Sequence, residues 1–285
     1  MNRRMYIILP VHNRRALTVR FAEGLRRQTW PDFQLLLIDD GSTDGTAGAV
    51  RAILPETAVI TGQGDWWWGG ALQQAWLWLR RSPPAPDTII GICNDDMDVA
   101  DDFLAGAVRE LEGSPGTLLL AREIDAATGQ EQAAGVMADL HHLRFVPSHE
   151  AGAINCLSTR GLFFRWIDFE RIGGFHPHLL PHYLSDYEFT IRAHRRGLRL
   201  CVAHSFAIRT ARESTGIGRN DLWRASRWRR PAMIFSRRFK ENPMAWSGFV
   251  VLAVPGWRRL WLLLKVWTNT GRLLANCLFT SANHG

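Results

Sequence analysis

Between residues 5 and 93, short apolar runs alternate with longer stretches whose apolar residues return every third or fourth position. That alternation restricts the chain to few folds. Residues 5–11 (MYIILPV) form a continuous apolar run closed by His12 and Asn13, the pattern of a strand buried on both faces. Residues 16–28 carry Leu17, Phe21 and Leu25 at a spacing of four, which predicts a helix. A strand over 33–38, a helix over 46–54, a strand over 58–61, a helix over 69–80 and a strand over 88–93 follow. Strands alternating with helices of this length predict an α/β protein, a parallel sheet with right-handed crossovers. Beyond residue 115 the pattern loosens. Strands are expected near Leu118, over 162–164 and over 198–208, and helices over 166–172 and 184–196, whereas 133–145 shows no clear period.

Polar residues gather where the expected strands end, and an open α/β sheet presents its ligands at those carboxyl ends. Pro10-Val11-His12-Asn13 closes the first strand with a turn. Asp39 and Asp40 close the second, and Gly41 and Gly45 let the chain turn tightly into the next helix. The fourth ends in Asn94-Asp95-Asp96-Met97-Asp98. Carboxylates this crowded repel one another unless a cation or donor-rich ligand sits among them. Asp96, with Asn94 or Asp98, can offer oxygen ligands to Mg²⁺ or Mn²⁺, which take one or two carboxylates and complete their shell with water and substrate phosphates. Asp39 and Asp40 can accept hydrogen bonds from a ribose hydroxyl or a pyrimidine imide. Taken alone, each feature also reads as a solvated turn or helix cap. Their joint order and spacing point to a nucleotide site.

In combination, Pro-Val-His-Asn, Leu-Ile-Asp-Asp-Gly-Ser-Thr-Asp-Gly-Thr and the acidic end of the fourth strand resemble the family 2 glycosyltransferases of the GT-A fold, over about residues 5–215. The resemblance implies an inverting enzyme with a nucleoside-diphosphate sugar donor and a divalent metal. Asp39 and Asp40 correspond to the family's nucleoside-binding pair. Asn94-Asp95-Asp96 corresponds to its Asp-x-Asp motif with Asn in the first place, so Asp96 and Asn94 would face the metal and Asp95 the nucleotide. Gly173-Gly174-Phe175 followed by Ser185-Asp186 matches the segment whose last acid is the catalytic base, here Asp186, with Ser185 where Glu is usual. Pro10, His12 and Asn13 join the donor-binding set. Trp67-Trp68-Gly69-Gly70 is similar to a stretch of bacterial rhamnosyltransferases in this family, implying a sugar-packing platform, and at least one of the three consecutive Trp is expected in the core. His182 and Tyr183 are expected on the acceptor side, with a glycan or lipid-linked acceptor. Relatives often carry a metal-facing His near Ser214-Thr215-Gly216; this chain has none there, and His204 lies earlier. A sugar-phosphate nucleotidyltransferase is the rival enzyme, but the turn after the first strand lacks that class's glycines. A non-catalytic nucleotide-sugar-binding protein is the other alternative.

Charge divides the chain. Residues 209–285 hold 14 Lys and Arg against three acids, whereas 1–208 hold 20 basic and 24 acidic side chains. Six of the thirteen Trp lie beyond residue 220. The expected layout is a GT-A catalytic domain over 1–215 and a helical, basic, Trp-rich extension over 216–285. No stretch reaches the roughly 18–20 uncharged residues that span a bilayer. Trp, Leu and Arg at helical spacing instead predict a helix lying on an anionic membrane surface, with packing on the domain or a dimer seam as the alternative. Nucleic-acid binding is not expected. Cys93, Cys156, Cys201 and Cys277 lack metal-type spacing and read as buried thiols of a reducing compartment. With an N-terminal apolar run too short for a signal peptide, the expected location is cytoplasmic, peripheral on the inner face of the plasma membrane.

Overall fold

The computed structural model describes residues 4–132, 134–210 and 216–279. The first half alternates as expected: β1 (Met5–Val11), α1 (Arg15–Arg26), β2 (Phe33–Asp39), α2 (Thr46–Ile53), β3 (Ala58–Thr61), α3 (Trp67–Arg81) and β4 (Ile89–Ile92). These four strands run parallel in the order β3-β2-β1-β4. Successive residues of β1 feed opposite layers, since side chains alternate across a strand. Ile7 and Leu9 pack with Phe21, Leu25 and Val50 on one face, and Tyr6 and Ile8 with Leu72, Ala75 and Leu79 on the other. Helices cover both faces, which is why the strands are apolar throughout.

The second half departs from a parallel sheet. After β5 (Met97–Val99), α4 (Phe103–Leu111) and β6 (Thr117–Asp125), the chain adds β7 (Glu131–Gln132), β8 (Gly135–Asp139), β9 (Arg144–Ser148) and β10 (Cys156–Leu157). It re-enters as β11 (Leu162–Arg165), wedged antiparallel between β4 and β6 with Leu162 opposite Ile92. Having left β6 at the sheet's carboxyl edge, the chain returns from that edge, so β11 must run the other way. α5 (Trp166–Ile172), α6 (Ser185–Arg195) and β12 (Arg199–Thr210) follow. β12 lies parallel to β6, and β5 closes the sheet antiparallel to it. The result is a mixed nine-stranded sheet beside a three-stranded one, β10-β8-β9. The stretch that shows no period in sequence contains β8 and the first two residues of β9, which pair antiparallel.

The remaining helices are α7 (Arg219–Arg224), α8 (Arg230–Ile234), α9 (Pro243–Ala253) and α10 (Arg258–Phe279). Asn242 caps α9 by accepting from the amides of Met244 and Ala245 at 2.8 and 3.0 Å. The apolar run 244–255 is thus a core helix, with Phe249 and Ala253 buried against Val136, Cys156 and Ile191. α10 follows along it through Leu262, and its far end packs Leu273, Leu274 and Cys277 against Leu222, Ile234 and Phe239. Among the described residues no helix is long and apolar enough to cross a membrane. All four cysteines are free; three are buried, while Cys201 is only half-buried.

Candidate active site

The carboxyl ends of β1, β2 and β4 open into a cavity of about 690 Å³. Its walls bring together Asp40, Asn94, Asp95, Asp96 and Asp186, residues far apart in sequence.

On the β2 side, both oxygens of the Asp40 carboxylate accept backbone amides, from Gly64 at 2.8 Å and Trp67 at 3.0 Å. Asp40 therefore fastens the chain that leads into α3 while facing the cavity. Asp39 is buried behind it, accepting from the Ser42 amide at 2.8 Å, and does not line the cavity. His12 lies on the wall with Nδ1 2.6 Å from the Asp40 carbonyl. Asn13, held at φ 52°, accepts the Thr43 amide at 2.8 Å and ties the two turns together from outside the lining. Pro10 lines the wall beside His12.

Trp67 and Trp68 border the cavity, whereas Trp66 packs on the α3 layer of the core. Trp67 adopts φ 55°, a left-handed conformation unfavourable for a bulky residue. Its ring stands 5.5 Å from that of His182, and the Arg237 guanidinium lies 5.7 Å from its centre. Gly69 and Gly70 do not line the cavity. A Cβ on Gly69 would meet the Leu180 carbonyl oxygen, and its amide donates to the Pro181 carbonyl at 2.8 Å. Glycine here lets α3 approach the loop that carries His182 and Tyr183.

After β4, the Arg14 guanidinium pairs with Asp95 at 3.2 Å and Asp96 at 3.5 Å, and the Thr18 hydroxyl donates to Asp95 at 3.0 Å. Burial raises the Asp95 pKa, opposed by Arg14 and Thr18. Asp98 turns away to pair with Arg20 at 3.1 Å, so of the two candidate companions to Asp96 only Asn94 faces the cavity. Asn94 Oδ1 and Asp96 Oδ1 are both buried with no hydrogen-bond partner among the described residues. Two stranded acceptor oxygens suit a hard cation that takes few protein ligands and completes its shell with phosphate and water. Among the described residues no group of three or more His, Cys, Asp or Glu is arranged to hold a metal. His204 sits at the irregularity of β12, its amide donating to Glu110, and does not line the cavity. The expected metal-facing position near 211–215 lies outside the described residues.

Opposite stands the 182–186 turn. The Ser185 hydroxyl closes it on the His182 carbonyl at 2.8 Å, and Leu184 takes φ 67°. Asp186 enters the first turn of α6 facing the cavity, where its carboxylate accepts the next amide, Tyr187, at 2.9 Å. Enclosure by protein pushes its pKa up to about 6, moderated by backbone amides and the Arg160 charge. Burial, with the nearby Arg238 charge, pushes His182 down to about 4. Its ring is neutral near pH 7, and its Nδ1 is buried without a partner among the described residues.

Several wall residues carry no motif in the sequence. Arg160 pairs with Glu123 at 3.1 Å, and Glu123 also accepts from the Thr210 hydroxyl at 2.7 Å. Arg238 and Gly216 come from the segment beyond residue 215. A Cβ on Gly216 would collide with the Tyr183 hydroxyl, so the late segment lies directly on the 182–186 turn. Arg14, immediately after Asn13, was legible as a neighbour of the first turn; Arg238 is one cation in a basic run and gave no signal.

Residues 6–133 match the family model described as Glycosyl transferase family 2. No curated protein sequence matches the chain. Among solved structures, S. aureus TarS is similar at 16% identity and TM-score 0.58, covering 96% of this chain. The chain spans 54% of that structure's length. The mannosyltransferase PcManGT from Pyrobaculum calidifontis, in complex with GDP-Man and Mn²⁺, is similar at 18% identity and TM-score 0.58, covering 98% of this chain and 85% of that one. Residues 1–349 of S. aureus TarS in complex with UDP-GlcNAc align at 14% identity and TM-score 0.56, covering 96% and 81%. The fold is therefore the mixed α/β fold of GT-A glycosyltransferases, with a helical C-terminal segment.

Proposed function

We propose that this protein is an inverting glycosyltransferase that moves a sugar from a nucleoside-diphosphate donor to a hydroxyl of a glycan or lipid-linked acceptor. The family 2 match over 6–133 and the GT-A neighbours support a nucleotide-sugar glycosyltransferase. The observation that carries the reading is the convergence of Asp40, the Asn94–Asp96 turn and Asp186 on one cavity.

In this reading the nucleoside rests against Pro10, His12 and Asp40, with Asp39 holding the corner from behind, and the diphosphate reaches toward Asn94, Asp95 and Asp96. Asn94 and Asp96 would hold Mg²⁺ or Mn²⁺, which when bound supplies positive charge to the departing diphosphate. Trp67 and Trp68 offer flat faces to the donor sugar, in keeping with a deoxyhexose such as rhamnose. Asp186 accepts the proton of the acceptor hydroxyl as that oxygen bonds to the anomeric carbon; the carbon–oxygen bond to the nucleotide breaks on the opposite side, inverting the centre. A pKa of about 6 keeps Asp186 ionised near neutrality yet more basic than a free aspartate. His182 and Tyr183 border the acceptor. The proposed setting is cell-surface polysaccharide synthesis, peripheral on the cytoplasmic face of the plasma membrane.

The test is a binding and hydrolysis screen of UDP-, dTDP- and GDP-sugars with and without Mn²⁺, repeated with Asp186→Asn. Donor turnover by the wild type, lost in the variant while donor binding persists, is the expected outcome. Near-normal transfer by Asp186→Asn would overturn the assignment of the base.

A further inference from the structure

We propose that α10 is the membrane-docking element, laying a Trp-Leu stripe into the headgroup region of a bilayer containing anionic phospholipid. This deepens the membrane part of the function proposed above, and its test needs no sugar transfer.

The placement of exposed apolar residues carries the argument. Trp257, Leu260, Leu264, Trp261 and Trp267 are 75%, 73%, 66%, 50% and 44% exposed. At 3.6 residues per turn these positions fall within a sector of about 120°. The opposite side of α10, through Leu262, Leu273 and Cys277, is seated on the protein. The stripe is thus the outward face of a helix whose inward face is already occupied.

Charge selects the occupant. α10 contains Arg258, Arg259, Lys265 and Arg272 and no carboxylate. Arg258, Lys265 and Arg272 recur every seven residues and so follow one edge of the stripe. Lys265 lies 5.4 Å from the centre of the Trp261 ring, and Arg258 contacts His141. Arg259 instead bonds the Val254 carbonyl at 3.2 Å, on the protein side. Trp beside a rail of cations suits the interface of a negatively charged leaflet, where rings sit at headgroup level and each cation gains from the surface potential. A second copy facing the first across this stripe would oppose two such rails with no carboxylate on α10 to pair them. The helix cannot span a membrane, so the arrangement is lying on it.

Flotation of the full chain with phosphatidylcholine vesicles, with and without phosphatidylglycerol, tests this. Binding is expected to the anionic vesicles, at least about ten-fold over the neutral ones, and to weaken as salt is added. The exposed-residue variant Trp257→Ser/Leu260→Ser/Trp261→Ser/Leu264→Ser should lose about ten-fold or more while keeping its thermal unfolding midpoint. Arg258→Gln/Lys265→Gln/Arg272→Gln should lose the anionic preference, and it reports even where the first variant fails to fold. A wild-type chain that does not float on anionic vesicles overturns the proposal. If that chain is also a dimer in light scattering and the serine variant is a monomer, the stripe is an interface between copies.

Discussion

Two corners of the same cavity treat their carboxylates in opposite ways. Asp40 spends both oxygens on the backbone amides of Gly64 and Trp67. The Asp186 carboxylate accepts the neighbouring Tyr187 amide and no side-chain donor among the described residues, and burial raises its pKa. Asp40 holds its loop in place, so its removal unravels structure. Asp186 carries a pKa raised by burial, the arrangement expected of the base proposed above. The difference separates acids that build a site from acids that the site is built around.

Substitutions can break that contrast. Asp186→Asn should lower transfer by about 100-fold or more, the range lost with a general base, while leaving donor affinity nearly unchanged in calorimetry. The same variant should unfold at a higher temperature near pH 7, with a gain on the order of 2 kcal/mol, since it removes an ionised carboxylate from an enclosed position. Asp40→Ala should do the reverse. Loss of two amide acceptors at the entry to α3 should cost about 3 kcal/mol in urea unfolding and weaken donor binding with it.

pH should sharpen the comparison. The Asp186 pKa, about 6, lies above the ordinary 3.8, so folding favours its protonated form. Its contribution to stability is full below about pH 4 and is lost as pH rises through about 6. Activity should move oppositely, rising with unit slope to a plateau above about pH 6 as the base ionises. A pH–rate profile and a ¹³C titration of the Asp186 carboxyl carbon should agree on that midpoint. The smallest expected effect is at Thr18→Val, which removes the hydroxyl bonded to buried Asp95. It should cost about 1 kcal/mol in denaturant unfolding.

Much of the first half was legible because strands buried on both faces write themselves as apolar runs: β1 has the bounds its residues predict, as do the edge strand β3 and, in the second half, the helix α5. The strand-end acids were legible as a group for the same reason, since the sheet puts its carboxyl ends together. The direction of β11 was not, because it depends on the edge from which the chain returns, a property of path and not of local pattern. β5, β7 and β10, at two or three residues each, are too short to show a period. Asp98 was misread as a companion of Asp96 because its partner, Arg20, lies on α1, far from it in sequence. In the tail, composition alone could not separate α9 from α10: both mix Trp with aliphatic residues, yet Phe249 and Ala253 of α9 are buried while the α10 stripe faces outward.

The contact of Gly216 with Tyr183, and the reach of Arg238 into the cavity, have a consequence for synthesis. Chains fold from the N-terminus as they leave the ribosome. A nascent polypeptide that has released Asp186 but not Arg238 has an open trough where the finished protein has a walled pocket. α10 emerges later still, and its far end carries the Leu273, Leu274 and Cys277 on which Leu222, Ile234 and Phe239 of that wall segment pack.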